Sequence, residues 1–508
     1  MPAVDLDRAA ELVAEQYPGP GGTLAVVKDS RVLIKKAWGY ANTSAGRLMT
    51  CDTIFPICSI TKQFTCALML DLFPDAEVAL AEKLRAFLPN LRTQRPTIPD
   101  LCNNQSGIRD YATLSILAGG AAEADFDRAN AQAILEQTAS LQFSPGTEYC
   151  YSNSNFHILA SLIEEATGAD FGALLRERLF VPAKMRTAKF ATDSAIYPSD
   201  CSGYEGNFES GFFAAVNRSH WIGDAGISAS LEDMIAWECY LQESSMSKGS
   251  LYNRIATEQF FIDGSPAPYG YGLAHGLVGN VKVVGHSGGM RGWRMHRTFA
   301  RDLGLSAIVM LNHEADAKAA AESLIAAAAG SVERAFPSAV SHYYVNRSRS
   351  LVAEVHSCAI PDARIVAEGE EIFIDPTRTN TLDDRTRLGE DQLELARPTI
   401  ERRRVFKKLD RAAGKKLEGR FFCAELAATL LIAETSGTTY ASFHGPLGKS
   451  DLFILKSLGN DVWQTPNLRG IDMAPGPLSI MRTVSPEGTP VLHVSAPLAQ
   501  NVAFSHIA

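Results

Sequence analysis

Near its start the chain has a pattern of short, mostly apolar runs separated by polar residues. Residues 23–27 and 31–34 carry this pattern and flank a polar triplet at 28–30, which predicts a β-hairpin. From about residue 59 to 240 the pattern becomes mostly helical, and strand patterns return from about 269 to 312. Strands at both ends of a segment with helices between them predict one α+β domain, whose sheet is assembled from both ends of the segment.

An alanine-rich helix is predicted at residues 315–329, and helical periodicity largely disappears after it. Short strand patterns then alternate with Gly, Asn, Asp and Pro, as at residues 364–374 and 429–455, which is typical of antiparallel β domains. A basic stretch at 407–416, poor in apolar residues, favours a linker between two such domains. We therefore predict three domains, with the bounds 1–332, 333–414 and 415–508.

The composition narrows the classes of partner. The 508 residues carry 57 Asp and Glu against 48 Lys and Arg, a net charge of -9, which argues against nucleic acid or an anionic membrane surface. No apolar run reaches the roughly 20 residues of a membrane-spanning helix, and residues 1–20 lack the pattern of a secretory signal. The nine cysteines form no C-x-x-C pair, so we expect reduced thiols, a cytoplasmic location and no metal site.

The first candidate for chemistry is the segment 56–62, Pro-Ile-Cys-Ser-Ile-Thr-Lys, which precedes a run that is apolar on nearly all faces. Such a run predicts a buried helix, and the spacing of three puts Ser59 and Lys62 on one face of its first turn. A serine hydroxyl becomes a good nucleophile when a nearby base takes its proton, and burial favours the neutral amine of a lysine. Ser-x-x-Lys also arises by chance, in which case Ser59 is an N-cap and Lys62 a solvated side chain.

Two further segments carry polar residues in positions suited to a site. The triplet 151–153, Tyr-Ser-Asn, precedes a helix predicted at 155–166, and a tyrosine there can relay a proton to a leaving group. Residues 285–289, Gly-His-Ser-Gly-Gly, follow a strand predicted at 282–284, and glycines let a backbone approach a ligand closely. Taken singly, the first is better explained by a core tyrosine with a satisfied hydroxyl, and the second by a turn at the end of a strand.

In this order, the Ser-x-x-Lys, Tyr-Ser-Asn and His-Ser-Gly segments resemble the motifs of the penicillin-recognising serine enzymes. That family includes carboxypeptidases, class C β-lactamases, esterases and D-aminopeptidases. Segments 101–108 and 221–227 are similar to further landmarks of the family, and the resemblance covers about residues 10–330. Within the family the chain looks most like the cytoplasmic bacterial D-aminopeptidases, through segments 56–66 and 291–294. Those enzymes carry two antiparallel eight-stranded β-barrels after the catalytic domain, and the resemblance implies the same here.

The resemblance also implies a role for each motif residue. Ser59 would attack an amide carbonyl, with Lys62 and Tyr151 acting together as its base, and Tyr151 would pass a proton to the leaving amine. The backbone N–H groups of Ser59 and Gly288 would form the oxyanion hole. Asn153 would orient Lys62 and the substrate carbonyl. No cofactor or metal is implied.

The implied substrate contacts differ from those of carboxypeptidases and β-lactamases. His286 stands where those enzymes have a lysine, and would support the site electrostatically. Asp472 is the carboxylate of a segment that resembles the loop limiting the active site in D-aminopeptidases, and would accept the substrate ammonium group. The alternative is that this segment is an exposed hairpin. Arg294 is a candidate contact, with a structural salt bridge as its alternative. Ala274 replaces an expected substrate-lining asparagine, and His275 beside it is the remaining candidate contact.

These implications make the leading hypothesis a serine hydrolase that releases small N-terminal D-amino acids, such as D-alanine, through an acyl-enzyme. Its expected substrates are small D-aminoacyl peptides, amides or esters. We expect a homodimer, with neither nucleic acid nor a membrane as partner. Two alternatives stay open: an esterase or β-lactamase on the same fold, and a non-catalytic descendant that only binds peptides.

Overall fold

The computed structural model describes residues 6–196, 199–329, 416–470 and 476–507, together with strands between residues 340 and 408. The strands before residue 330 are β1 (Gly21–Lys28), β2 (Arg31–Asn42), β3 (Arg47–Leu48), β4 (Ile54–Pro56), β5 (Lys189–Phe190), β6 (Tyr204–Asn207), β7 (Gly211–Ala214), β8 (Ile227–Ser230), β9 (Tyr269–Gly270), β10 (Leu273–Val278), β11 (Val281–Met290), β12 (Trp293–Ala300) and β13 (Leu305–Leu311).

Eight of these strands form one antiparallel sheet in the order β3-β2-β1-β13-β12-β11-β10-β9. The first long strand pairs with the last, with Gly22 opposite Leu311, so the predicted assembly from both ends of the segment is confirmed. The hairpin between β1 and β2 is also confirmed. Its turn residues Asp29 and Ser30 have φ values of 48° and 60°, as a two-residue hairpin turn of type I′ requires.

Helices cover both faces of the sheet. Val13 and Leu324 of the first and last helices share an apolar cluster with Leu24 of β1, whereas Phe64 and Ile158 belong to the cluster on the opposite face. The helices are α1 (Leu6–Gln16), α2 (Thr61–Leu72), α3 (Ala76–Phe87), α4 (Ile98–Cys102), α5 (Tyr111–Leu117), α6 (Arg128–Glu136), α7 (Asn153–Thr167), α8 (Phe171–Leu175), α9 (Leu231–Ser245), α10 (Leu251–Ile255) and α11 (Ala317–Ala329).

Helix α2 lies deep in the helical layer. Its residues 61–69 are all buried, which confirms the helix predicted after Ser59, and Phe64 packs against Trp237 with 4.2 Å between ring centroids. Helix α7 is confirmed as well. It ends at Gly168, whose φ of 66° is the left-handed cap that favours glycine. The starts of these two helices therefore hold Ser59, directly before α2, and Asn153, the first residue of α7.

The described strands after residue 330 form two antiparallel sheets, as the β patterns predicted. The first has seven strands and the second has ten. They are β14 (Val340–Asn346), β15 (Leu351–Ser357), β16 (Ala363–Ala367), β17 (Glu370–Ile374), β18 (Arg387–Leu388), β19 (Gln392–Leu395), β20 (Arg404–Lys408), β21 (Gly419–Cys423), β22 (Ala428–Thr435), β23 (Thr438–Gly445), β24 (Gly448–Lys449), β25 (Phe453–Ile454), β26 (Lys456–Gly459), β27 (Val462–Asn467), β28 (Pro477–Val484), β29 (Pro490–Ala496) and β30 (Ala499–Ile507).

The second of these sheets has two more strands than the eight expected, because the two-residue strands β24 and β25 both pair with β23. The proposed linker also begins later than expected, since β20 extends to Lys408. The domain bounds at 332 and 414 lie outside the described residues and stay predictions, as does the closure of either sheet into a barrel.

Candidate active site

Ser59 lies in a short 3₁₀ turn, Cys58–Ile60, directly before α2. Cys58 has a left-handed backbone with φ of 48°, which costs a non-glycine residue about 1–3 kcal/mol. The turn is fixed from behind, because the N–H of Ile57 donates to the oxygen of Ile227 at 2.9 Å. These constraints present a partly buried Ser59 at the start of a buried helix.

The amine of Lys62 contacts three oxygens. Its Nζ lies 3.0 Å from Ser59 Oγ, 2.7 Å from Asn153 Oδ1 and 2.7 Å from the backbone oxygen of Asp224. These acceptors match the three hydrogens of an ammonium group. After loss of one proton, the amine can keep its bonds to Asn153 and Asp224 and turn its lone pair toward Ser59. That is the geometry a general base needs.

Burial tunes this amine. It lowers the pKa of Lys62 to about 8, although the carboxylates of Asp224 and Asp110 act in the opposite direction. A lysine with that pKa is neutral in roughly one molecule in ten at pH 7, against about one in a thousand or fewer at the ordinary value. Burial also raises the pKa of Asp224 to about 6, and Tyr111 donates to its Oδ2 at 2.7 Å.

Tyr151 lies beside both Ser59 and Lys62. Its ring centroid is 4.8 Å from Lys62 Nζ, and its hydroxyl is hydrogen-bonded to Ser59. Burial raises the pKa of Tyr151 well above the usual value, so the phenol keeps its proton at neutral pH. The hydroxyl is therefore able to donate a proton to an atom next to Ser59.

Asn153 is the first residue of α7, and three of its groups have different tasks. The backbone N–H donates to Asp110 Oδ2 at 2.8 Å, and Oδ1 accepts the bond from Lys62. The amide nitrogen Nδ2 is buried and has no hydrogen-bond partner among the described residues. Because an unpaired buried donor is costly, this nitrogen is available to a substrate oxygen.

His286 lies inside a strand, whereas the sequence placed it after one. Residues 285–289 continue β11 because they pair with β12 along their whole length. His286 Nδ1 is 2.5 Å from Ser287 O, and Nε2 is 2.9 Å from the Tyr269 hydroxyl. A carbonyl only accepts, so Nδ1 carries the hydrogen and Nε2 accepts from Tyr269. Burial and the nearby Lys62 lower the pKa of His286 to about 3, and its ring is therefore neutral.

Gly288 brings β11 against the turn that holds Ser59. A Cβ at this position would lie 2.3 Å from the backbone oxygen of Ile57, so only glycine permits the approach. The neighbouring Gly289 is less confined, since its Cβ would lie 3.4 Å from the flexible side chain of Arg294. The strand and the turn thereby bring the backbones of Gly288 and Ser59 to the same place.

The predicted substrate contacts Arg294 and His275 are not among the residues that the structure brings together around Ser59 and Lys62. Arg294 pairs with Glu314 at 3.1 Å and donates to two backbone oxygens of its own hairpin at 2.6 and 2.7 Å, which supports its structural alternative. His275 lies on β10 opposite Val284. Asp472 lies outside the described residues. The residues that come together are Ser59, Lys62, Tyr151, Asn153, His286 and Gly288.

Four polar residues of the site were missed by sequence reasoning. Asp224 lies within the segment 221–227 that resembled a family landmark, but nothing in the sequence pairs it with Lys62. Asp110 and Tyr111 lie two and three residues after another landmark segment, 101–108. Tyr269 begins a two-residue strand too short to predict. Each acts through a contact with a residue distant in sequence, for which periodicity gives no signal.

Two further features concern binding and location. Within the described residues, no group of three or more His, Cys, Asp or Glu side chains is placed to hold a metal ion. Among those same residues, no helix is long and apolar enough to cross a membrane.

Comparison with known proteins identifies the chain. A model of the beta-lactamase family matches residues 6–330, which gives the class of the catalytic part, and a model described as D-aminopeptidase, domain B, matches residues 343–505. D-aminopeptidase from Brucella canis is 40% identical over 491 residues, covering 94% of both chains. D-aminopeptidase from Brucella anthropi is 39% identical over 482 residues, covering 93% of this chain and 92% of the relative. The chain belongs to the D-aminopeptidases of the beta-lactamase family.

Solved structures share the fold. An octameric penicillin-binding protein homologue from Pyrococcus abyssi is 19% identical with a TM-score of 0.56, and the match covers 92% of this chain and 98% of that one. D-amino acid amidase from Ochrobactrum anthropi SV3, complexed with L-phenylalanine amide, is 19% identical with a TM-score of 0.53. That match covers 64% of this chain and 99% of the amidase.

Proposed function

We propose that this chain is a D-stereospecific serine aminopeptidase that releases small N-terminal D-residues through an acyl-enzyme on Ser59. The observation that carries the proposal is the buried amine of Lys62, 3.0 Å from Ser59 Oγ and with its pKa lowered to about 8. The D-aminopeptidases of Brucella, similar over 94% of the chain, support the choice of a D-residue and of a free amino end.

Acylation begins with attack of Ser59 Oγ on the carbonyl carbon of the substrate amide. The hydroxyl proton passes to the Lys62 and Tyr151 pair, and the carbonyl oxygen becomes an oxyanion. The backbone N–H groups of Ser59 and Gly288 receive that oxyanion, each donor being worth about 3–4 kcal/mol of transition-state stabilisation. The Nδ2 of Asn153 holds the substrate from the side.

Collapse of the tetrahedral intermediate breaks the C–N bond. Tyr151 gives its proton to the departing amine and regains one from Lys62, which leaves the acyl-enzyme ester and a neutral lysine. Water then attacks the ester carbonyl, its proton follows the same route, and Ser59 is released with the free D-amino acid. The neutral ring of His286 contributes a dipole but no positive charge, and its hydrogen bond holds the hydroxyl of Tyr269 in place.

The free ammonium group of the substrate needs an acceptor, and Asp472 is proposed for it. Ala274 offers no polar group where the family resemblance led us to expect an asparagine, so we expect the preferred residue to differ from that of asparagine-bearing relatives. His275 and Arg294 complete the proposed substrate contacts, with Arg294 limited by its bonds to its own hairpin.

The decisive experiment compares D-alanine and L-alanine p-nitroanilides, nitrocefin and a short acyl ester on the wild type and on Ser59→Ala. We expect turnover of the D-anilide alone, lost in Ser59→Ala. Faster turnover of nitrocefin or of an N-acylated ester would establish the esterase or β-lactamase alternative. Absence of any Ser59-dependent turnover would leave the peptide-binding alternative.

A cytoplasmic location and a homodimer complete the proposal. The cysteines among the described residues are all free of disulfides, which suits a reducing compartment. Separate fractionation of cytoplasm and periplasm, and light scattering of the purified chain, test the two statements.

A further inference from the structure

The C-terminal sheet contacts the catalytic domain at the tip of the hairpin between β29 and β30, residues 497–500. The N–H of Asp110 donates to the oxygen of Leu498 at 3.0 Å. Arg109 Nε donates to the oxygen of Gln500 at 2.9 Å, and the N–H of Gln500 donates to Gln142 Oε1 at 3.0 Å. The tip is thus hydrogen-bonded to two consecutive residues, 109 and 110, by its backbone.

Those two residues hold the start of α7. Asp110 Oδ2 accepts the N–H of Asn153 at 2.8 Å, and the oxygen of Arg109 accepts Ser154 Oγ at 2.7 Å. Asn153 in turn holds the amine of Lys62. A continuous series of contacts therefore runs from the hairpin tip through Arg109 and Asp110 to the proposed base.

The C-terminal sheet holds the other end of α5 as well. The N–H of Leu447 donates to the oxygen of Ala118 at 3.1 Å. A Cβ on Gly119 would lie 2.3 Å from the oxygen of Gly448, so the two backbones are in close contact. Helix α5 is thus held at both ends, and it carries Tyr111, whose hydroxyl donates to Asp224.

We propose that the hairpin tip 497–500 and Arg109 are positioning elements of the active site, which is incomplete without the C-terminal sheet. The inference rests on the proposed function for its reaction. Arg109 is only 7% exposed and joins both parts, since its Nη1 also donates to Ser140 O at 3.0 Å and lies 3.9 Å from Glu425. Losing its guanidinium loosens residues 109–110 and, through them, Asn153 and Lys62.

The test compares Arg109→Met with Arg482→Met in the full chain. Arg482 is a matched control, because it lies in the same C-terminal sheet and pairs with Asp461 away from the tip. We expect Arg109→Met to lower kcat at least about tenfold with little change in KM, as misplaced catalytic groups do. Its pH profile shifts upward, because water that reaches Lys62 moves the pKa toward the ordinary value. Arg109→Lys recovers part of kcat, and Arg482→Met keeps all three quantities.

A second readout separates this inference from the proposed function. Fluorophosphonate labelling of Ser59, followed by mass spectrometry, needs the nucleophile and its base but no aminoacyl substrate. A wild type that is labelled yet cleaves no D-anilide refutes the proposed substrate, while a labelling rate at least about tenfold lower in Arg109→Met still supports the positioning role. Equal labelling rates and equal kcat in wild type and Arg109→Met overturn the inference, as does an equal loss in Arg482→Met. A wild type unlabelled at Ser59 overturns both proposals.

Should Arg109→Met fail to fold, Gln142→Leu serves instead. It removes the acceptor of the Gln500 N–H without removing a charge. The same upward shift of the pH profile, with a smaller loss of kcat, supports the inference. A wild-type profile in Gln142→Leu would count against it.

Discussion

The amine of Lys62 lies 2.7 Å from the side-chain oxygen of Asn153, 91 residues further along the chain. The partner is an amide, not a carboxylate, and this choice matters. An amide oxygen fixes the direction of the amine, but it stabilises the ammonium form far less than a negative charge would. Lys62 is therefore oriented without losing the low pKa that burial gives it.

The reactivity of Ser59 should follow the titration of Lys62. Since only the neutral amine accepts a proton, the rate of fluorophosphonate labelling should rise about tenfold per pH unit below a midpoint near 8, then level off. Labelling is preferable to aminopeptidase kinetics here, because the substrate's own amino group titrates near 8. Lys62→Met should remove the pH dependence along with most of the rate. A midpoint at the ordinary lysine value would contradict the burial argument.

Two isosteric substitutions should move that midpoint in opposite directions. Asp224→Asn removes a charge that raises the pKa of Lys62, so the midpoint should fall below 8. Asn153→Asp adds a charge at 2.7 Å from Nζ, so the midpoint should rise. The pH profile of Ser59 labelling measures both, and the exposed Asp71→Asn serves as a control with no shift. Shifts of the same sign in the two variants would show disturbed packing, not charge.

Sequence reasoning succeeded where chemistry depends on neighbours along the chain. The spacing of three placed Ser59 and Lys62 on one turn. In the structure Lys62 Nζ lies 3.0 Å from Ser59 Oγ. The short apolar runs at residues 23–27 and 31–34, on either side of a polar triplet, gave the hairpin, since such runs bounded by turn residues are typical of buried strands. Helix α7 followed from its periodicity and from Gly168.

It failed where the answer depends on which elements dock. Asp224 reaches Tyr111 across 113 residues, and no local pattern encodes that meeting. Residues 285–289 were expected to follow a strand at 282–284, not to continue it. They continue β11 because each pairs with a residue of β12, and Gly288 then lies against the oxygen of Ile57. The contact of residues 497–500 with Arg109 likewise belongs to domain docking.

Tyr151→Phe should slow leaving-group departure more than attack. Ammonia is a strongly basic leaving group and needs a proton, whereas p-nitroaniline needs one much less. We therefore expect kcat for D-alaninamide to fall about 10²–10⁴-fold, and kcat for the D-alanine anilide to fall less. Tyr149→Phe is the matched control, because this ring lies 5.7 Å from Tyr269 and has no proposed role in proton transfer. Equal losses on both substrates would assign Tyr151 to attack alone.

Gly288→Ala should damage catalysis through geometry. The added methyl group would lie 2.3 Å from the oxygen of Ile57, so β11 must move away from Ser59 and withdraw one oxyanion donor. Loss of one such donor lowers kcat about 10²–10³-fold. Gly289→Ala is the control, since the atoms nearest to its methyl group belong to the flexible Arg294 side chain, at 3.4 Å or more. Comparable kcat values in the two variants would remove Gly288 from the oxyanion hole.

Two arginines that bind the same two carboxylates, Arg291 in the catalytic part and Arg469 in the C-terminal part, should contribute unequally to stability. Arg291 is 3% exposed and binds Glu205 at 2.7 Å and Glu123 at 2.8 Å. Arg469 reaches the same two carboxylates at 2.9 and 3.2 Å, but its side chain is 51% exposed. Arg291→Met leaves the largely buried Glu205 to the exposed Arg469 and should cost up to about 3–5 kcal/mol, whereas Arg469→Met should cost at most about 1 kcal/mol.

Chemical unfolding followed by tryptophan fluorescence measures the difference between the two variants. A midpoint that falls far more in Arg291→Met than in Arg469→Met would match the burial of the two side chains. Equal shifts would mean that solvent screens both pairs alike, which the 3% exposure of Arg291 argues against. High salt separates the cases further, because it weakens an exposed pair and leaves a buried one nearly unchanged. We therefore expect the cost of Arg469→Met, but not that of Arg291→Met, to disappear in 1 M salt.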